Sequence, residues 1–192
     1  MAQTTLTALF ATYDQAHQAV RSLEESGIPS DEITLLANNI DEAISATGAG
    51  AGIGAIGGGT LGLLTGLGLM VIPGVGPVVA AGWLAVTAAG AAAGGALGAA
   101  AGGLASVLSN AGIKEEEAHL FSEGVRRGGA LVVVKTDEAD LASARAILDH
   151  HHQLDTEALR SDYGNEGWKS FDPNAEPWTP ERIRAERERS FL

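Results

Sequence analysis

Three consecutive histidines, His150, His151 and His152, lie between Asp149 and Asp155. Imidazole with carboxylate is a ligand set that holds zinc or nickel. Three neighbouring residues of regular backbone cannot easily point at one ion, so a solvated helix end is expected there and no metal is assigned. Gly52-Ile53-Gly54-Ala55-Ile56-Gly57 has the spacing of a dinucleotide-binding turn. That chemistry needs a strand before the glycines and an acid about twenty residues beyond them. Here an uncharged apolar stretch follows, so the match belongs to a glycine ladder and no cofactor is expected. There is no Gly-Lys-Ser/Thr phosphate loop and no cysteine, which removes thiolate nucleophiles, disulfides and thiol metal sites. Serines and aspartates occur, but no nucleophile elbow or spaced triad. His17 and His119 fall on helix surfaces. The expectation is a protein that is not an enzyme.

The dominant feature is instead residues 43–113, a run without Asp, Glu, Lys or Arg. Gly54, Gly58, Gly62 and Gly66 form one ladder, and Gly90, Gly94, Gly98 and Gly102 a second. A spacing of four places each set on one helix face. Glycine costs about 1 kcal/mol against alanine inside a helix. Close approach of helix axes along small-xxx-small faces is the usual compensation. Pro73, Gly74, Gly76 and Pro77 make a turn between the ladders. A helical hairpin is therefore expected, over residues 49–72 and 78–108. Its remaining apolar surface needs a partner, either lipid or other copies of the same chain.

The elements on either side of this run are conventional. Residues 4–12 alternate as a strand, with Leu6, Ala8 and Phe10 on one face. Residues 13–26 place Ala16, Ala19, Val20 and Leu23 on one helix face, closed by Gly27. Residues 32–37 predict a second strand. Beyond the run, residues 114–127 predict a charged helix with Ala118, Phe121 and Val125 inward, and residues 130–136 a central strand. Asp137 is expected to cap a helix through Leu148, and a fourth strand is expected around residues 153–157. Strand–helix–strand repeated on both sides of an insertion predicts an α+β, ferredoxin-like split βαβ sandwich. Its halves are residues 1–42 and 114–158, and the hairpin is residues 43–113. Residues 159–192 are a polar tail with a short helix opened by Thr179, Pro180 and Glu181. Trp168, Phe171, Trp178 and Phe191 are its candidate anchors, on the core or on a neighbouring subunit.

Phe10, Ala16, Val20, Leu23, Gly27 and Ile33 resemble the start of a bacterial general stress protein family, the small heat-induced and low-temperature-induced proteins. Gly112 and Ile113, the acids Glu115, Glu116 and Glu117, Ala118, and Glu123-Gly124-Val125-Arg126-Arg127-Gly128-Gly129-Ala130-Leu131-Val132-Val133 look like that family's second-half signature. Members often carry a glycine-rich insertion in the same place. Where they often have a His-Gly pair near the last strand, this chain has His150-His151-His152. The resemblance implies a stress-response role and brings no catalytic residues.

Twelve basic against twenty-four acidic residues give a net charge of −12, which excludes a phosphate-tracking surface and hence a nucleic-acid partner. The first residues lack a basic and apolar leader pattern, and with the absence of cysteine this predicts a cytoplasmic location. Three functions fit. The first is a self-assembling homo-oligomer built through the ladders. The second is a protein held at the inner membrane by a transmembrane hairpin, and the third a small-ligand-sensing module. Self-assembly is favoured, because Gly/Ala-rich helices gain more from one another than from lipid.

Overall fold

The computed structural model describes residues 4–38, 68–84 and 99–190. The described residues form five strands and six helices. In chain order they are β1 (Thr4–Phe10), α1 (Tyr13–Glu25), β2 (Ile33–Ala37), β3 (Gly68–Ile72), β4 (Gly76–Gly82), α2 (Ala99–Asn110), α3 (Glu115–Arg126), β5 (Ala130–Thr136), α4 (Leu141–His150), α5 (Thr156–Asn165) and α6 (Pro180–Ser190). The strands make one antiparallel sheet in the order β1-β5-β2-β4-β3.

The apolar run Ala130-Leu131-Val132-Val133-Val134 takes the buried position that its composition predicts. β5 lies between β1 and β2, with Leu35 opposite Val132 and Ala8 opposite the same residue from the other side. Both sheet faces are covered, so its side chains divide between two cores. Ala130, Val132 and Val134 meet α1 and α4 through Ala16, Val20, Leu23, Ala144 and Leu148. Leu131 and Val133 meet α2, α3 and Phe171 through Leu104, Leu108, Phe121 and Val125. Burying a side chain of this size contributes about 1.5–3 kcal/mol, and these two layers hold the domain together.

Local chemistry sets the helix ends. Thr12 Oγ1 accepts from Gln15 N–H at the start of α1. Gly27, at φ 100°, turns the chain out of α1, with Ile28 N–H donating to Leu23 O. Asp155 Oδ1 accepts from the N–H groups of Glu157 and Ala158 and starts α5.

Three expectations are corrected. Pro73, Gly74, Gly76 and Pro77 do form a turn, but within the described residues the chain beside it is extended. Met70 pairs with Val78 and Val71 with Pro77, a β-hairpin where helix ends were expected. β4 also pairs with β2, Leu36 facing Ala80. Sheet hydrogen bonding to an otherwise open β2 edge outweighs the weak helix preference of a Gly/Val-rich segment. The fourth strand at residues 153–157 is absent. A single bond, Leu154 N–H to Leu9 O at 2.7 Å, reaches β1 there, and Asp155 at once caps a helix. Asp137 accepts from Ala139 and Asp140 N–H in a turn, and the helix begins only at Leu141.

Candidate functional site

The last turn of α3 is where the charges concentrate. Glu123, Arg126 and Arg127 stand at spacings that bring them together on a helix. Glu123 is fully buried and takes both guanidinium groups. Arg126 donates through Nε to Oε2 at 2.9 Å and through Nη2 to Oε1 at 2.8 Å, while Arg127 Nε reaches Oε1 at 2.8 Å. Arg127 Nη1 then donates to Glu166 Oε2 at 2.5 Å and to Glu186 Oε1 at 3.3 Å. Its guanidinium carbon lies 3.9 Å from the Tyr163 ring centroid and 5.0 Å from that of Trp178. One side chain thus joins α3, α5, the residue after α5, and α6.

Electrostatics fixes the protonation of this cluster. Burial works to lower the Arg127 pKa, but the hydrogen bonds it donates to Glu166 and Glu123 outweigh it, so the value rises and the group stays charged. Burial pushes the Tyr163 phenol well above its usual range, against the pull of Arg127. The phenol remains a neutral wall. Buried ion pairs of this kind hold geometry, because removing one partner strands the other in a low-dielectric interior. The cluster is a clamp with its charges satisfied.

Gly128 and Gly129 end α3 and open the space beside the clamp. Gly128 has φ 97°, and a Cβ there would overlap Ile183 Cγ2. Ile183 is the buried residue of α6 among those described, and the helix docks by resting this side chain on a glycine. Upstream in the arm, Phe171 is 3 % exposed and its N–H donates to His119 Nδ1 at 3.2 Å. Between the clamp and β1 lies a cleft of about 640 Å³, lined by Leu9, Gln15, Gly124, Leu154, Leu159 and Asp162 among others.

The residues singled out in the sequence distribute as follows. Gly54, Gly58, Gly62, Gly66, Gly90, Gly94, Gly98 and Phe191 lie outside the described residues, as does the dinucleotide-like stretch 52–57. Gly102 lies in α2, one residue before a kink at Gly103. Trp168 stacks edge-on against Tyr163 at 5.9 Å and 74°. Trp178 lies under Arg182, 3.7 Å from its centroid, and beside Arg127. Phe171 and Trp178 thus contact His119 of α3 and Arg127 at its end, and Trp168 contacts Tyr163 within the tail itself. His151 Nε2 is paired with Ser22 Oγ at 2.9 Å, tying α4 to α1, and its ring stands edge-on to His150. Among the described residues no group of three potential metal ligands converges. No helix among them is long and apolar enough to cross a membrane.

Sequence reasoning missed Glu123, Arg127, Tyr163, Glu166, Ile183 and Glu186 as one assembly. The i, i+4 spacing of Glu123 and Arg127 was a legible signal for its first half. Comparison with family models, with curated proteins and with solved structures gives no match.

Proposed function

We propose that this chain is a non-enzymatic stress-response protein that self-assembles into a homo-oligomer through its glycine ladders, carried on a ferredoxin-like domain. Support for the fold is the insertion of β5 between β1 and β2, antiparallel to both, with α1 and α4 sharing one face of the sheet. This order supports reading the sheet as a split βαβ core. The hairpin β3–β4 extends it past β2, and no fourth strand lies beside β1 among the described residues.

One observation carries the assembly reading. Leu36 and Gly68 both pair with Ala80, from opposite sides. The run between them holds the first ladder and has its two ends two strand spacings apart, about 10 Å, while the second ladder follows β4 in the chain. An appended apolar module needs such an attachment, because it can then meet other copies without disturbing the sheet. The stress-response role rests on the family resemblance of residues 112–133.

The test is the particle size of the native protein prepared without detergent, measured by light scattering for wild type, Gly58→Leu and Gly94→Leu. A large wild-type particle that shrinks in both variants supports the reading. An unchanged size in both overturns it, and recovery only with membranes would transfer the ladders to lipid. The cleft beside Arg127 favours a second reading, a small-ligand module. Native mass spectrometry would reveal a bound molecule as excess mass.

A further inference from the structure

The arm does more than cover apolar surface, because Phe171 sits where three distant segments meet. A Cβ on Gly74 would lie 2.7 Å from Asp172 O and 3.0 Å from Phe171 Cζ. A Cβ on Gly103 would lie 3.1 Å from Phe171 Cε1, 3.1 Å from Pro173 Cβ and 3.2 Å from Pro73 O. Phe171, Asp172 and Pro173 therefore rest directly on the β3–β4 turn and on the kink that divides α2.

The Gly102-Gly103 pair permits that kink but does not demand it. Gly103 takes φ 56° and ψ −145° in the sequence Ala99-Ala100-Ala101-Gly102-Gly103-Leu104-Ala105, which holds no proline and no side chain that competes for backbone groups. Glycine reaches helical and non-helical backbone with little difference in energy. The contacts with Phe171, Pro173 and Pro73 are what distinguish the two states. Gly102, immediately before the kink, is the last rung of the second ladder.

We propose that the C-terminal arm is a releasable strap that holds α2 kinked at Gly103, and that its release lets both pieces of α2 join into one continuous helix. Its attachments suit release. α6 carries seven charged residues in eleven, and Ile183 is its buried apolar side chain among the described residues, so it has little affinity of its own. Its other holds include the Arg127 contacts to Glu166, Glu186 and Trp178, the ring of Phe171 and its hydrogen bond to His119. A terminal segment held by a few localised contacts can open below the global unfolding energy. Resting on the assembly reading, release would continue the helix past Gly102 to Ser106, the next small residue of that spacing, and so lengthen the face that neighbouring copies can use.

The test compares the full-length wild type with Phe171→Ala/Ile183→Asp and with Gly103→Ala. The first pair loosens the arm; the second penalises the kinked backbone and leaves the arm's own residues intact. Amide hydrogen exchange is read over residues 99–110, 72–76 and 130–136, with particle mass by light scattering. Expected in both variants is slower exchange at residues 103–106, faster exchange at 72–76, unchanged protection in β5, and a larger particle. Unchanged exchange over 99–110 overturns the strap. So does loss of protection in β5 in both variants, since the arm would then only stabilise the domain. If α2 responds while the mass stays constant, or stays insensitive to an added Gly94→Leu, the strap stands and the assembly reading fails.

Discussion

The Arg127 guanidinium lies 3.9 Å from the centroid of the Tyr163 ring and bonds Glu123 from the same planar group. Face and edge of the guanidinium are thus used at once, which an ammonium cannot reproduce. The residue satisfies a buried carboxylate on its own helix and recruits carboxylates that follow it by 39 and 59 positions.

Arg127→Ala leaves Glu123 buried with Arg126 as its only remaining partner of the pair, and it removes the hold on Glu166 and Glu186. The expected cost is about 3–5 kcal/mol, the range for breaking a buried pair from one side. Arg127→Lys keeps the charge and loses the fork and the stacking, so it should recover only part of that loss. Urea denaturation of the three proteins checks the order. Equal stability of the lysine variant and wild type would show that charge alone matters.

Gly82→Ala should be among the most damaging single-methyl changes in the domain. Gly82 has φ 96°, and its added Cβ would overlap Ile33 O and lie 2.7 Å from Thr34 Cα, the residue it pairs with. The methyl therefore meets backbone that cannot move without separating β4 from β2. Positive φ in a residue other than glycine costs of order 1–3 kcal/mol before any clash is counted. A fall of at least about 2 kcal/mol is expected, with faster amide exchange in β3 and β4.

Mild acid should weaken the α1–α4 layer. Burial, followed by Arg21, lowers the pKa of His17, whose Nε2 is buried with no hydrogen-bond partner among the described residues. Burial and the neighbouring His150 and His152 lower that of His151, which pairs with Ser22. Both folded-state values lie below the unfolded value of about 6.5, so the unfolded chain binds more protons as pH falls. Stability from these groups is present above that value and is lost as pH falls toward the lowered ones. The urea midpoint should drop between pH 7.5 and pH 5.5, and by less in His17→Leu. An identical drop in both proteins would remove His17 from the account.

Periodicity and local caps were enough to place α1, α3 and β5, because Ala16, Val20 and Leu23, or the apolar run 130–134, need only their own spacing to declare a buried face. The turn at Pro73–Pro77 was legible for the same reason, since composition alone marks it. The sheet position of residues 68–82 was not. Their Gly, Val and Leu content suits helix and strand almost equally, and only the open edge of β2 selects extended pairing. Likewise, a chain that ends β1 at Phe10 cannot announce that Leu154 will reach it with one bond and then turn into α5. The clamp shows the division most sharply. Glu123 and Arg127 are a helix-spaced pair in the sequence, yet their connection to Tyr163, Glu166 and Glu186 exists only once α5 and α6 pack against the end of α3. Short-range order follows from the period of the side chains; which distant charges neutralise one another is decided by the burial that brings them together.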